Sequence, residues 1–121
     1  MRIAGVEVRR YAFPLDPPFR AAWDPVPRRS VEASVVIVRS DDGLAGYASG
    51  GHLPDAGVLE GLLIGLDPRR VEVVREICET VDFHGGRPWT AEVAVWDLAA
   101  RSLGQPLWLL LGGRSDRLRR S

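Results

Sequence analysis

Residues 90–113, TAEVAVWDLAARSLGQPLWLLLGG, limit the possible folds of this sequence more than any other stretch. Between Ala91 and Leu103 only Glu92, Asp97, Arg101 and Ser102 are polar, so a helix there is apolar nearly all round and has to be buried. At ~100° per residue Glu92 points almost opposite Asp97 and Arg101, which leaves no single solvated side. A domain of 121 residues has one core to offer, so a second surface beyond that core is expected to cover the helix. Gly104 suits the left-handed residue just past a helix C-terminus, and Pro106 cannot continue the same helix. A second apolar run, residues 107–111, follows at once and stops at Gly112 and Gly113.

The rest of the chain reads as strands first and helices after. Residues 1–13 predict a strand whose alternation changes phase: Val6 and Val8 share one face, whereas Tyr11 and Phe13 sit on the other, which suggests a bulge or strong twist near Arg9-Arg10. Residues 14–30 hold five of the nine prolines and predict a long, stiffened loop, since proline cannot donate to a sheet ladder. Residues 32–39, EASVVIVR, are β-branched and nearly continuous, as expected of a strand buried on both faces or at the centre of a small sheet. Ser40-Asp41-Asp42-Gly43 supplies a hairpin turn into a third strand at 44–49, and Gly46 within it implies close approach of another backbone. After a second loop at 50–55, residues 58–66 carry Gly61 and Gly65 and allow only a short, weak helix. Asp67-Pro68 places a cap before a first-turn proline, and Val71, Val74, Cys78 and Val81 predict a helix over 68–81. Residues 82–89 read as a Gly-rich connection to the helix of the opening stretch, begun by Pro88 or capped by Thr90. The fold class that follows is α+β: a three-stranded antiparallel meander, then a small bundle of about three helices.

Sixteen basic residues balance sixteen acidic ones, which argues against a general nucleic-acid or anionic-membrane binder. The basic residues are all arginine, so Schiff-base chemistry, a P-loop lysine and a lysine base are excluded from these residues. Cys78, the single cysteine, sits at helical spacing with valines and reads as a small core residue. Without a signal peptide or an apolar run of spanning length, a cytoplasmic protein is expected. His52 and His84 lack zinc-site spacing, the glycine pairs form no phosphate-binding motif, and no serine sits in a nucleophile elbow. Asp97 and Arg101 read as a paired or backbone-bonded polar group in a helix interface, and Trp96 and Trp108 as core. No catalytic or metal-ligating residue is predicted. The candidate substrate-binding residues are Phe19, Arg20, Trp23 and Asp24, which place an aromatic floor beside a charged pair on the Pro-rich loop, with His52 on the second loop. A loop that packs on its own domain is the competing reading of that composition.

MRIAGVEVRRYAFPL, the hairpin VVIVRSDDGLAGYASGG, the phrase LLIGLDP and above all AEVAVWDLAARSLGQPLWLLLGG resemble the N-terminal capping domain of the mandelate racemase and muconate lactonising enzyme family, in the enolase superfamily. The resemblance spans residues 1–112 and implies three antiparallel strands and a helical bundle ahead of a (β/α)8 barrel, with 113–121 as a linker toward a barrel absent from this sequence. Family chemistry is abstraction of the proton α to a carboxylate through a Mg²⁺-stabilised enolate. The lysine or histidine base and the carboxylate metal ligands belong to the barrel. The resemblance therefore implies a substrate-specificity lid that is inactive alone and binds no cofactor itself, Mg²⁺ being expected only in a complete family member. Its implied partners are a barrel domain, or another copy of the chain, and a small carboxylate substrate in the complete enzyme, with no nucleic acid and no membrane. Residues 16–29 and 50–55 match the lid loops, although Ala48-Ser49 stand where relatives often carry Gly-Glu. The alternative reading is a stand-alone homo-oligomeric interaction domain without enzymatic activity.

Overall fold

The computed structural model describes residues 1–50 and 55–118, except the side chains of residues 84 and 85. The elements in order are β1 (Ile3–Phe19), β2 (Arg28–Ser40), β3 (Ala45–Ser49), α1 (Ala56–Leu63), α2 (Val71–Gly85), α3 (Trp89–Ser102) and the short α4 (Leu107–Leu110). The strands form one antiparallel sheet in the order β1-β2-β3, so the α+β meander expected from the sequence is present, with four helical segments among the described residues in place of about three. The β2–β3 turn closes at Gly43, whose φ of 91° is open to glycine. Its N–H donates to the Ser40 carbonyl at 3.2 Å, and the Ser40 N–H donates to Leu44 O at 2.9 Å.

Directly paired residues share a sheet face. Val6 pairs with Val38, Val8 with Val36, and these continue across to Gly46 and Ala48. That face meets α3. A Cβ built on Gly46 would lie 2.2 Å from the Ala94 carbonyl oxygen and 2.6 Å from the Leu98 nitrogen, so the glycine lets helix and sheet backbones touch. Val36, Val38, Ala94, Val95 and Leu98 are completely or almost completely buried there, joined by Leu59 and Leu63 of α1 and Val74 and Cys78 of α2.

Along β1 the bulge, one of the two expectations near Arg9-Arg10, is corrected. The register runs unbroken from Gly5 opposite Arg39 to Pro14 opposite Ser30, with irregularities only between Ile3 and Gly5 and between Pro14 and Phe19. The change of apolar phase has another cause: the β1–β2 ribbon outgrows the helix that covers it. Beyond Val8 the apolar side chains move to the opposite face, where Tyr11 and Phe13 stack at 6.3 Å and remain exposed beside Val31. The expected loop at 14–30 is shorter than its prolines suggest. Pro14, Pro17 and Pro18 lie within β1, an edge strand where a missing N–H costs no inner ladder bond. The Asp16–Pro17 peptide is cis.

Helix α2 begins at Val71, three residues later than expected, because the Asp67 carboxylate accepts from the Arg69 N–H (3.0 Å) and guanidinium (2.9 and 2.7 Å) and holds 67–70 as a turn. It then continues to Gly85, so the backbone of His84 is helical where a Gly-rich connection was expected. The Arg69 side-chain hydrogen bonds hold the Asp67 carboxyl well below the usual carboxylate range. A carboxyl depressed in the folded state adds stability that is complete above its unfolded pKa and lost as pH falls toward the folded value. The urea midpoint should therefore fall as pH drops below about 4, and Asp67→Asn should flatten that dependence; an unchanged acid limb in the variant would exclude this contribution.

The helix of the opening stretch spans Trp89–Ser102, and Thr90 lies inside it, buried, instead of capping it. Its C-terminus closes as expected: Gly104 has φ 65°, its N–H donates to Arg101 O at 3.1 Å, and the Gln105 N–H reaches Ala100 O at 3.1 Å, the paired bonds of a Schellman motif.

Candidate functional site

The β1–β2 ribbon ends in a tip at residues 20–27. Phe19 and Arg28 pair across its base, and Arg28 donates to Asp24 from Nε at 2.7 Å and from a terminal nitrogen at 3.3 Å. The Asp24 N–H donates to Ala21 O at 3.0 Å, and Ala21 is buried. The tip is thus folded on itself. Hydrogen bonding to Arg28 is the main cause holding the Asp24 carboxyl below its ordinary value. Among the predicted candidates, Asp24 is consequently occupied by Arg28, a partner that sequence reasoning passed over although the spacing of four across a Pro-rich turn was visible. Arg20 has no ion-pair partner among the described residues. Phe19 is 60% and Trp23 80% exposed, so both present apolar surface outward together with Val26. His52 lies outside the described residues.

The other polar candidates serve the fold. Asp97 accepts from the Tyr47 N–H at 2.9 Å and from Arg101 Nε at 3.1 Å, so a carboxylate on α3 satisfies a donor on the free edge of β3. Arg101 also stands 5.5 Å from the centre of the Tyr47 ring, a cation–π distance. Cys78 is buried, and burial pushes its thiol up to about 11, far from the pKa of a reactive nucleophile. Among the described residues no three His, Cys, Asp or Glu side chains group to hold a metal, so the Mg²⁺ implied by the resemblance has no ligand set there.

A second surface is apolar and bare. Trp89 and Val93, one turn apart on α3, are exposed, and so are Leu103, Leu109 on α4 and Leu111 just after it. Trp108, expected in the core, is 39% exposed on α4, a four-residue helix that packs against α3. No helix among the described residues is long and apolar enough to cross a membrane.

The domain thus presents an aromatic tip on one ribbon and an uncovered helical face. Residues 3–112 match the model of the mandelate racemase / muconate lactonizing enzyme N-terminal domain. The chain is 31% identical to D-galactarolactone cycloisomerase of Agrobacterium fabrum, over 94% of this chain and 33% of that protein. It is 31% identical to L-Lys-D/L-Arg epimerase of Methylococcus capsulatus, over 98% and 36%, and 33% identical to cis-3-hydroxy-L-proline dehydratase of Roseibium aggregatum, over 70% and 27%. Among solved structures, a dipeptide epimerase of Enterococcus faecalis complexed with Mg and L-Leu-L-Tyr superposes with a TM-score of 0.72 at 28% identity, over 93% of this chain and 35% of that one. The chain spans about a third of the length of the curated relatives it matches. With a meander, a helical bundle and a family match over nearly all of its residues, the chain belongs to the mandelate racemase / muconate lactonizing enzyme family, as its N-terminal domain.

Proposed function

We propose that these residues are the substrate-specificity lid of an enolase-superfamily enzyme that removes the α-proton of a carboxylate, such as a hydroxy acid or sugar acid, in a racemase, epimerase, dehydratase or cycloisomerase reaction. The domain is not catalytic alone. A barrel domain covers the bare face of α3 and α4, and residues 113–121 lead toward it. Phe19, Arg20 and Trp23 at the ribbon tip, with His52 on the second loop, face the substrate; Asp24 holds Arg28 and shapes the tip. The observation that carries this reading is the outward display of Phe19 and Trp23 on a tip whose base is fixed by sheet pairing and by the Asp24–Arg28 pair. Such a tip offers apolar surface and a guanidinium with little ordering cost on closure. The work of these residues is binding, orientation and water exclusion. The expected setting is the cytoplasm.

A graft tests the proposal. Residues 1–112, installed in place of the corresponding segment of L-Lys-D/L-Arg epimerase, should retain α-proton exchange into deuterated solvent and change its substrate preference, read as a shift in relative kcat/KM. The 121-residue chain alone should incorporate no deuterium into a panel of carboxylates supplied with Mg²⁺. An unchanged preference in the graft, or exchange by the chain alone, would overturn the reading. A sharp, stable dimer of the chain on gel filtration, joined to an unchanged preference, would favour the homo-oligomeric interaction domain.

A further inference from the structure

We infer that the substrate carries a second carboxylate, that Arg20 takes it, and that Arg28 keeps Arg20 free to do so by occupying Asp24. The assignment of the substrate rests on the proposed reading of the ribbon tip as a lid. Arg20 and Arg28 each stand four residues from Asp24, so by spacing either could pair with it. The fold selects Arg28. Sheet pairing sets Arg28 opposite Phe19 at the base of the tip, and the turn from Ala21 to Asp24 closes through the Asp24 N–H at 3.0 Å. Both Asp24 carboxylate oxygens accept from the Arg28 guanidinium, at 2.7 and 3.3 Å. The Asp24 side chain is only 14% exposed, which leaves little of it for a second cation.

Residues 16–29 carry three arginines against two aspartates. With Asp24 and Arg28 cancelling, Asp16 in β1, Arg20 at the tip and Arg29 in β2 remain, and none of the three forms an ion pair among the described residues. Arg20 is exposed and follows directly on the exposed ring of Phe19. In open water such a guanidinium gains little from one anion, whereas in a closed, water-poor site a charge-assisted pair is stronger. The carboxylate next to the α-proton takes up charge as that proton leaves and stays at the reacting centre. A guanidinium on the lid is therefore matched by a carboxylate at the far end of the substrate, and it repels an ammonium group there.

Exchange of the guanidinium Nε–H with water, followed by NMR in the 121-residue chain, tests the role of Arg28. Arg28 should exchange more slowly than Arg20. In Arg28→Gln the Arg20 Nε–H should slow severalfold as Asp24 turns to it, and adding Asp24→Asn should return it to the fast rate. An Arg20 rate indifferent to Arg28→Gln would overturn that role. The graft on L-Lys-D/L-Arg epimerase tests the substrate: its kcat/KM for L-Glu-L-Glu relative to L-Lys-L-Arg should exceed that of the recipient. Arg20→Gln should lower this ratio about tenfold, through KM and not kcat. Arg28→Gln should lower it likewise, and Asp24→Asn should then restore it, a rescue that a merely structural pair would not give. Arg29→Gln, the same change of charge, should leave the ratio as it was. A ratio unmoved by Arg20→Gln, or moved as far by Arg29→Gln, would overturn the inference, although any other shift in preference would still support the lid. A preference identical to the recipient's would overturn both.

Discussion

Gly46→Ala is expected to destabilise the domain by about 3 kcal/mol, at the upper end of what an added methyl costs in a packed interior. That loss should lower Tm by roughly 10 °C and move the urea midpoint down without changing its slope. The cost is high because of what the methyl would strike. Two of the three nearest atoms, Ala94 O at 2.2 Å and Leu98 N at 2.6 Å, belong to the α3 backbone, so a rotamer change cannot make room. Helix and sheet would have to separate. The collision also falls beside the Asp97 carboxylate bonded to Tyr47 N–H, and separation would lengthen that bond as well. A variant within 0.5 kcal/mol of the parent, an estimate typical of neutral surface changes, would show that α3 sits farther from β3 than described.

Gly46 is also the clearest case of structure legible in the sequence. A glycine inside a strand pattern has few uses, and close backbone approach is one of them. The Gly43 turn and the Gly104 helix end were equally readable, since each needs a conformation that few residues adopt. What was not legible depended on partners distant in sequence. The prolines after Phe13 argue for a loop, yet β1 runs through them because its outer edge has no ladder to lose. The phase change at Tyr11 suggests a bulge or a strong twist because alternation alone cannot tell either from a regular ladder that changes neighbours. Helix α2 starts late because Asp67 bonds forward to Arg69 instead of capping a helix at Pro68.

The candidate site divides in the same way. Aromatic tip residues could be named from composition, and Phe19 and Trp23 are exposed. That Arg28 occupies Asp24 depends on how the tip folds back. On α3, Ala91, Ala94, Val95 and Leu98 are buried in the domain itself. Ala99 and Ala100 are buried as well, whereas Trp89 and Val93 are exposed.

Leu98→Ala should cost about 3 to 4 kcal/mol, the range for truncating a buried leucine whose surroundings relax only partly. Leu98 is fully buried against the sheet face formed by Val36 and Val38, and the glycine opposite it cannot move in to fill the gap. Combined with Gly46→Ala, the pair tests whether helix and sheet meet through side chains or through backbone. If side-chain volume were limiting, shrinking residue 98 would relieve the alanine at 46, and the double variant would recover much of the loss. The observed approach predicts no such rescue. The truncated residue keeps its backbone nitrogen and its Cβ, 2.6 and 2.8 Å from the Cβ built at residue 46, and Ala94 O stays in place. The two losses should therefore sum to roughly 6 to 7 kcal/mol, comparable with the whole stability of a typical domain. The double variant should show no cooperative urea transition, whereas one more stable than Gly46→Ala alone would reject a backbone-limited joint. Because the β1–β2 ribbon reaches the rest of the domain through this same face, loss of the joint would also release the ribbon tip from the frame that orients it.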